Sequence, residues 1–216
     1  MKIAILGGTG NEGFGLGFRW AHAGHQIIIG SRRAAKGSEA AAEMSQLLPD
    51  SAQVSGGDNA SAAAQAELVV LSVPYSAQEN TLESVRETLD GKLLLTVVAP
   101  TGEKKSRVWT LPSGLSAAEE AQAQLGDGVR VVAAFQNISA HHLLDLDHEM
   151  ECDVLVCGDA KADKEVVMGL CRDAGLQGIN TGGLQNARVA EALTSALIAI
   201  NIIYKSKSAG IRITGI

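Results

Sequence analysis

The sequence predicts an α/β fold of the Rossmann type, in which a doubly wound parallel sheet is followed by a small helical C-terminal part. Two observations indicate this class. Short apolar segments rich in β-branched residues alternate with Ala-rich segments of helical length along most of the 216 residues. The first apolar segment also runs directly into a glycine-rich turn, a combination typical of the first βα unit of such sheets.

Six apolar segments have the length and composition of buried strands. They cover residues 2–6, 26–29, 68–73, 93–98, 129–134 and 153–157, and a weaker segment at 53–55 is the expected third strand. Helices are predicted over residues 14–23, 36–48, 60–66, 76–89, 117–125 and 187–205.

The turn after the first strand contains G-x-G-x-x-G at Gly8, Gly10 and Gly13. In this pattern the first glycine permits a tight turn, the second lets the backbone approach a phosphate, and the third lets the helix pack closely. The free amides and positive dipole end of the following helix then favour a pyrophosphate. A structural turn without a ligand is the alternative. The position directly after an N-terminal apolar strand favours a dinucleotide site.

Residues after the second strand indicate which dinucleotide binds. An acidic residue there would bind the ribose hydroxyls of NAD and repel a 2′-phosphate. This chain instead has Ser31, Arg32 and Arg33, followed by Lys36. Arg forms strong, often bidentate bonds to phosphate. We therefore predict NADP(H), held by Ser31 and Arg32 with Arg33 or Lys36 assisting. A solvated basic start to the next helix is the alternative.

Two later strands end in proline turns, at Val73-Pro74 and Ala99-Pro100. Ligands of doubly wound sheets lie at the carboxyl ends of the strands, so these turns suit the ribose and nicotinamide half of a dinucleotide. Ordinary rigid strand exits are an equally weighted alternative. The polar and aromatic cluster after the sixth strand is expected to face the nicotinamide, and it includes Gln136, Asn137, Ile138 and Ser139.

Composition excludes several classes of protein. With 18 Lys and Arg against 24 Asp and Glu, the net charge of −6 argues against a general nucleic-acid binder. The N-terminus lacks the long apolar core of a signal peptide, so a cytoplasmic location is expected. The 3 cysteines are expected to be reduced thiols in the core.

A histidine pair and an apolar helix bear on whether the chain binds a metal or enters a membrane. His141 and His142 are adjacent and do not share a helix face, so no metal site is predicted. The helix at 187–205 is apolar around most of its circumference, and a membrane span would need about 20 apolar residues. Thr194, Ser195 and Asn201 interrupt it. We expect this helix to be buried against the sheet or, preferably, in a homodimer.

Several segments together resemble the NADPH-dependent coenzyme F420 reductases. They are MKIAILGGTGNEG, IIIGSRR, the two proline strand ends, AFQNISA, DVLVCGD and GGLQNARVAEALT. The resemblance covers nearly the whole chain and implies hydride exchange between NADP(H) and the deazaflavin ring of F420 in a soluble, often dimeric enzyme. It also implies an NADP-binding domain over residues 1–150 and a smaller region, 151–216, that completes the deazaflavin cleft and the dimer interface.

The resemblance assigns contacts residue by residue. Thr9, Gly10 and Asn11 would hold the pyrophosphate, Val73 and Pro74 the ribose, and Ala99 and Pro100 the nicotinamide. The deazaflavin would lie against residues 136–140 and the C-terminal residues 210–213. No catalytic side chain is nominated, because hydride transfer between two stacked rings depends mainly on positioning.

Some alternatives remain open at the level of sequence. The anionic tail of F420 predicts a basic rim, formed by Lys205, Lys207 and Arg212 or by a second cluster at residues 104–107. A reductase of the same fold that acts on a flavin, quinone, metal chelate or imine is also compatible, because fold does not fix the acceptor. A non-enzymatic NADPH sensor is a further alternative.

Overall fold

The computed structural model describes all 216 residues and contains one eight-stranded sheet with helices on both faces. In chain order the strands are β1 (Lys2–Leu6), β2 (Gln26–Ser31), β3 (Val54–Asp58), β4 (Leu68–Leu71), β5 (Leu93–Thr96), β6 (Arg130–Ala133), β7 (Asp153–Gly158) and β8 (Gln177–Asn180). The α-helices are α1 (Asn11–His22), α2 (Ala34–Gln46), α3 (Asn59–Gln65), α4 (Tyr75–Val85), α5 (Ala117–Leu125), α6 (Lys161–Asp173) and α7 (Ala187–Tyr204).

The first six strands form a parallel sheet in the order β3-β2-β1-β4-β5-β6. This is the strand order of the Rossmann fold, and it confirms the predicted fold class. β2 and β3 lie on one side of β1, and after β3 the chain crosses over to form β4 on the other side. The direction of winding therefore reverses between β1 and β4. Ligands in open α/β sheets bind in the crevice at such a reversal.

Alternating side chains along each central strand cover opposite faces of the sheet. On β1, Ile3 and Ile5 join a core cluster with residues of α1, α2 and α6, whereas Ala4 and Leu6 join a second cluster with α3, α4, α5 and α7. β1, β4 and β5 are buried on both faces. Their nearly continuous apolar sequences follow from this double burial.

The last two strands differ from the prediction of an all-parallel sheet. β7 pairs antiparallel with β6 through Val132↔Gly158 and Ala133↔Cys157, and β8 pairs parallel with β7. β8 was not predicted, because QGIN is short and contains one β-branched residue. Residues 151–216 therefore contribute two strands to the sheet as well as helices, and they share both core clusters with the N-terminal part.

Helix α2 lies unusually close to β3. A Cβ atom on Gly37 would overlap the carbonyl oxygen of Gly57 and lie 2.7 Å from that of Ile29. Gly56 is equally confined, since its Cβ would overlap the backbone of Gly37. Backbone therefore packs directly on backbone at this crossing.

The cysteines are free, as predicted. Cys157 and Cys171 are buried, and Cys152 is half-buried. Burial raises the pKa of the Cys171 thiol to about 12, so this side chain is an uncharged core residue.

Helix α7 is buried within the chain mainly over its first half. Ala187, Ala190 and Glu191 are buried, whereas Ile203 and Tyr204 are 69% and 76% exposed. The segment Leu184–Tyr204 is long and apolar enough to cross a membrane by length and composition, with 28% of it buried. The second half of α7 therefore presents an apolar surface that the chain itself does not cover.

Candidate functional site

The glycine turn joins β1 to α1 in a tight backbone arrangement. The left-handed residue is Gly7, with φ +74°, rather than Gly8. A Cβ on Gly7 would lie 2.6 Å from the carbonyl oxygen of Ser72, and a Cβ on Gly13 would lie 2.8 Å from the Ser72 hydroxyl. A Cβ on Gly10 would approach nothing closer than 3.7 Å. The outer side of the turn is thus open, while its inner side packs against β4.

The N-terminus of α1 opens at this turn. Gly10 is the N-cap and no side chain caps the helix, so the first-turn amides lack intramolecular partners. A cavity of about 350 Å³ adjoins them. Its wall comes from the ends of β1, β2 and β4 and the start of α3 and α4, and includes Gly7, Thr9, Gly10, Ser31, Arg32, Asn59, Ser72, Val73 and Pro74.

A second cavity of about 440 Å³ lies over the basic residues after β2. It is lined by Thr9, Ser31, Arg32, Arg33 and Lys36. The Lys36 ammonium group forms a 2.5 Å ion pair with Glu39, whereas the two guanidinium groups have no carboxylate partner. Both cavities share Thr9, Ser31 and Arg32, so they form one continuous groove, which we call the nucleotide groove.

The two proline turns take different positions. Val73 and Pro74 line the nucleotide groove. Pro100 instead lines a separate cavity of about 140 Å³ beside Trp109 and Leu111, and Ala99 is half-buried next to it. The structure therefore brings the first turn, but not Pro100, to the wall of the groove.

The segment after β6 is divided between inward and outward side chains. Gln136 and Asn137 are buried: the Gln136 amide donates to the Thr96 carbonyl over 2.9 Å. The Asn137 amide donates to the carbonyl of Asp153 over 2.7 Å, and its oxygen accepts from the Leu155 amide. Asn137 thus joins the end of β6 to β7. Its side-chain geometry gives it a structural role that the sequence did not indicate.

Ile138 and Ser139 line a cavity of about 400 Å³ that we call the C-terminal cavity. The tail after α7 forms another wall of it through Ser208 and Ala209. The Ser139 hydroxyl donates to the Lys207 carbonyl over 2.8 Å, which holds the tail against the turn. Further along, the Asp153 amide donates to the Ile211 carbonyl over 2.8 Å. The tail thus lies beside the segment that follows β6, and Ser208 and Ala209, rather than residues 210–213, line the cavity.

Two residues of the groove region escaped the sequence analysis. Asn59, at the start of α3, lines the nucleotide groove with a buried Oδ1 atom that has no hydrogen-bond partner. Glu12, in the first turn of α1, has a solvent-inaccessible Oε1 without a partner. Burial raises the pKa of Glu12 to about 8, so its carboxyl group is mainly neutral at pH 7. The sequence does not show that these two oxygen atoms lack hydrogen-bond partners, because that depends on the packing around each side chain.

Comparisons with known proteins agree with this geometry. A model of the family described as NADP oxidoreductase, coenzyme F420-dependent, matches residues 2–100. The F420-dependent NADP reductase of Methanocaldococcus jannaschii is 42% identical over 224 residues, covering 100% of this chain and 99% of that protein. The enzyme of the same name from Methanothermobacter marburgensis is 44% identical over 223 residues, with coverage of 100% and 99%.

A solved structure supports the same comparison. The crystal structure of an Arthrobacter protein predicted to be an F420-dependent NADP reductase superposes with a TM-score of 0.82. That protein is 28% identical to this chain, and the superposition covers 100% of both chains.

Proposed function

Because the chain belongs to the family of F420-dependent NADP reductases, we propose that it transfers a hydride between NADP(H) and the deazaflavin coenzyme F420. The observation that carries the proposal is the nucleotide groove, which joins a free helix N-terminus to a pair of unpaired arginines. An anionic dinucleotide with an additional phosphate matches both ends of this groove.

Each part of the groove suits one part of NADP(H). The first-turn amides of α1, with Thr9 and Gly10, would bind the pyrophosphate because the open outer side of the turn admits a close approach. Ser31 and Arg32 would bind the 2′-phosphate, assisted by Arg33. Lys36 is a weaker contributor, since its charge is already paired with Glu39. The unpartnered Oδ1 of Asn59 would accept a hydrogen bond from the adenosine half.

The deazaflavin would occupy the C-terminal cavity. Ile138 and Ala209 supply apolar surface there, and Ser139 and the tail residue Ser208 supply polar groups. The tail is held in place by the Ser139 to Lys207 hydrogen bond. NADPH supplies the hydride when it is bound, and this chain contributes two binding surfaces that orient the rings rather than a general base.

The decisive experiment mixes the purified protein with NADPH and oxidised F420 and follows loss of the deazaflavin absorbance in the visible. NADH and FMN serve as parallel substitutes. Rapid bleaching with NADPH and F420, and slow or no bleaching with the substitutes, is the expected result. Binding of NADPH without bleaching would retain the nucleotide assignment and reject F420 as acceptor.

The basis of NADP selectivity can be tested at Arg32. Arg32→Ala should raise the KM for NADPH by about tenfold or more, because a charge-assisted bond to phosphate contributes roughly 1.5–3 kcal/mol. The KM for NADH should stay unchanged. Lys161→Ala, at an exposed lysine on α6, is the matched control. An equal loss with both nucleotides would contradict binding of a 2′-phosphate at this position.

The tail lysines are favoured as the basic rim for the anionic part of F420. The backbone carbonyl of Lys207 accepts the hydrogen bond from Ser139, and Lys207 directly precedes the cavity residue Ser208. Lys104 belongs to the other cluster and lines none of the cavities described above. We expect Lys207→Glu to raise the KM for F420 and Lys104→Glu to leave it unchanged. The reverse pattern would move the rim to residues 104–107.

We also propose that the protein is a soluble cytoplasmic homodimer whose interface includes the exposed half of α7. The first half of the helix is anchored in the fold: Glu191 accepts from two amides of α5, and the Thr194 hydroxyl donates to the Gln136 carbonyl. A helix held in this way is poorly placed to cross a bilayer, whereas its apolar end suits a second copy. Ile203→Glu should convert a dimer to a monomer in light scattering. A wild-type monomer would contradict the proposal.

A further inference from the structure

The turn between β6 and β7 gathers three metal-ligating side chains that hydride transfer does not use. His142, Asp145 and His148 each offer one ligand atom, and these three atoms lie within 4.8 Å of one another. The imidazole rings of His142 and His148 stack with centroids 3.8 Å apart. We propose that these three side chains bind a divalent transition-metal ion.

The donor set determines the class of metal. Two imidazole nitrogens and one carboxylate oxygen suit Zn²⁺ and similar ions better than Mg²⁺ or Ca²⁺, which prefer oxygen ligands alone. Bonds of about 2.0–2.2 Å in a tetrahedral site place the donor atoms roughly 3.4 Å apart. Binding would require the side chains to rotate so that the donor atoms move from within 4.8 Å to that spacing. Three protein ligands leave a fourth position for water or another donor.

The backbone that carries the ligands is already fixed. Arg19 is buried beneath the turn, and its Nη2 atom donates to the carbonyls of His142 over 3.0 Å and Asp145 over 2.6 Å. Its Nε atom donates to the carbonyl of Leu143 over 2.9 Å. The amide of His148 donates to the Asp145 carbonyl over 3.3 Å. Only the side chains need to move on binding, so little ordering of the chain opposes it.

The site adjoins the C-terminal cavity, because His142 and His148 both line that space. The same segment carries the acidic residues Asp145, Asp147, Glu149 and Glu151. A bound divalent cation would place positive charge on this otherwise acidic edge and attract anionic groups of a molecule in the cavity. The proposal holds whatever the hydride acceptor is. It differs from the expectation of no metal site, which rested on the adjacency of His141 and His142 and on the spacing of the nearby carboxylates.

The test is calorimetric titration of ZnCl₂ into the full-length protein after treatment with EDTA and dialysis. We expect one ion per chain. His148→Gln should lower the affinity by at least about tenfold, since losing a ligand exceeds the 10-fold to 100-fold effect of an outer-shell change. His141→Gln is the matched control and should bind within about threefold of the wild type. Asp145→Asn is a second ligand variant in case His148→Gln does not fold, as judged by circular dichroism.

Cobalt gives an independent readout of geometry. Co²⁺ in a four-coordinate site should produce strong visible absorption that His148→Gln removes and His141→Gln retains. Absence of Zn²⁺ binding, or wild-type affinity in both ligand variants, would overturn the proposal. Equal loss in the His141 control would also overturn it, because the ligands would then be different from those named.

Discussion

Glu12→Gln tests the claim that a buried carboxyl group sits beside the phosphate turn in its neutral form. The Oε1 atom of Glu12 is inaccessible to solvent and has no hydrogen-bond partner, and burial raises its pKa from 4.5 to about 8. An acid whose pKa is higher in the folded state binds its proton more tightly there. The wild-type protein therefore loses stability as the pH rises from about 4.5 to 8, and the loss is complete above pH 8. Glutamine cannot ionise, so the variant escapes this loss.

The magnitude follows from the same pKa values. Linkage between 4.5 and about 8 gives a wild-type penalty of ~1 kcal/mol at pH 5 and ~4 kcal/mol at pH 8, as upper limits. The Gln amide must also be desolvated, which lowers the stability of the variant by an amount that does not depend on pH. The diagnostic quantity is therefore how much the stability difference between variant and wild type changes from pH 5 to pH 8. This change is about 3 kcal/mol in favour of the variant at pH 8.

The assay is urea unfolding of wild type and variant at pH 5, 6.5 and 8. Glu43→Gln is the control, because Glu43 is an exposed residue of α2 without an ion pair. Its free energy of unfolding should differ from wild type by the same small amount at each pH. If Glu12→Gln also gave a constant difference, Glu12 would be ionised in the folded protein and the reasoning from burial would be refuted.

Three further substitutions test the packing that supports the site. Gly37→Ala should destabilise the protein by about 1–3 kcal/mol, since its Cβ overlaps the Gly57 carbonyl, and an unchanged Tm would show that α2 can shift. Glu191→Ala should cost about 1–3 kcal/mol in thermal unfolding, because two buried amides at the start of α5 lose their acceptor. Arg19→Lys should raise proteolysis of the β6–β7 turn and lower stability by roughly 1.5–3 kcal/mol, since one ammonium group cannot replace the guanidinium fork. Intact protease resistance would contradict this role for Arg19.

The N-terminal half of the fold follows closely from its sequence. β1 is predicted with its observed bounds, and the alternation of apolar strands with helices predicts its parallel pairing with neighbouring strands. The local sequence pattern is sufficient to predict the helices and strands of this half, since segments with helix and strand periodicity alternate regularly. The glycine turn was also located correctly, although the left-handed conformation falls on Gly7.

Features that depend on contacts between distant parts of the chain cannot be predicted from the local sequence. The reversed direction of β7 has no local signature, because an apolar strand of six residues can pair in either direction. From the sequence, Asn137 is predicted to contact the ligand. In the structure its side chain instead forms hydrogen bonds with the backbone of β7. The metal-ligating cluster combines residues three and six positions apart in a turn. Their closeness depends on how an irregular turn folds over Arg19, which no local period of the sequence specifies.

The pairing of β6 with β7 supports the C-terminal cavity, because the segment that connects these strands lines that cavity. Only two residue pairs connect these strands, so the main-chain ladder fixes their separation weakly. The Asn137 amide and the tail's contacts with Asp153 complete the connection. These hydrogen bonds therefore reinforce a short strand pairing, in addition to the two core clusters that both parts of the chain share. Because Ile138 and Cys152 are direct neighbours of the residues that Asn137 joins, this side chain fixes the position of two walls of the C-terminal cavity from behind.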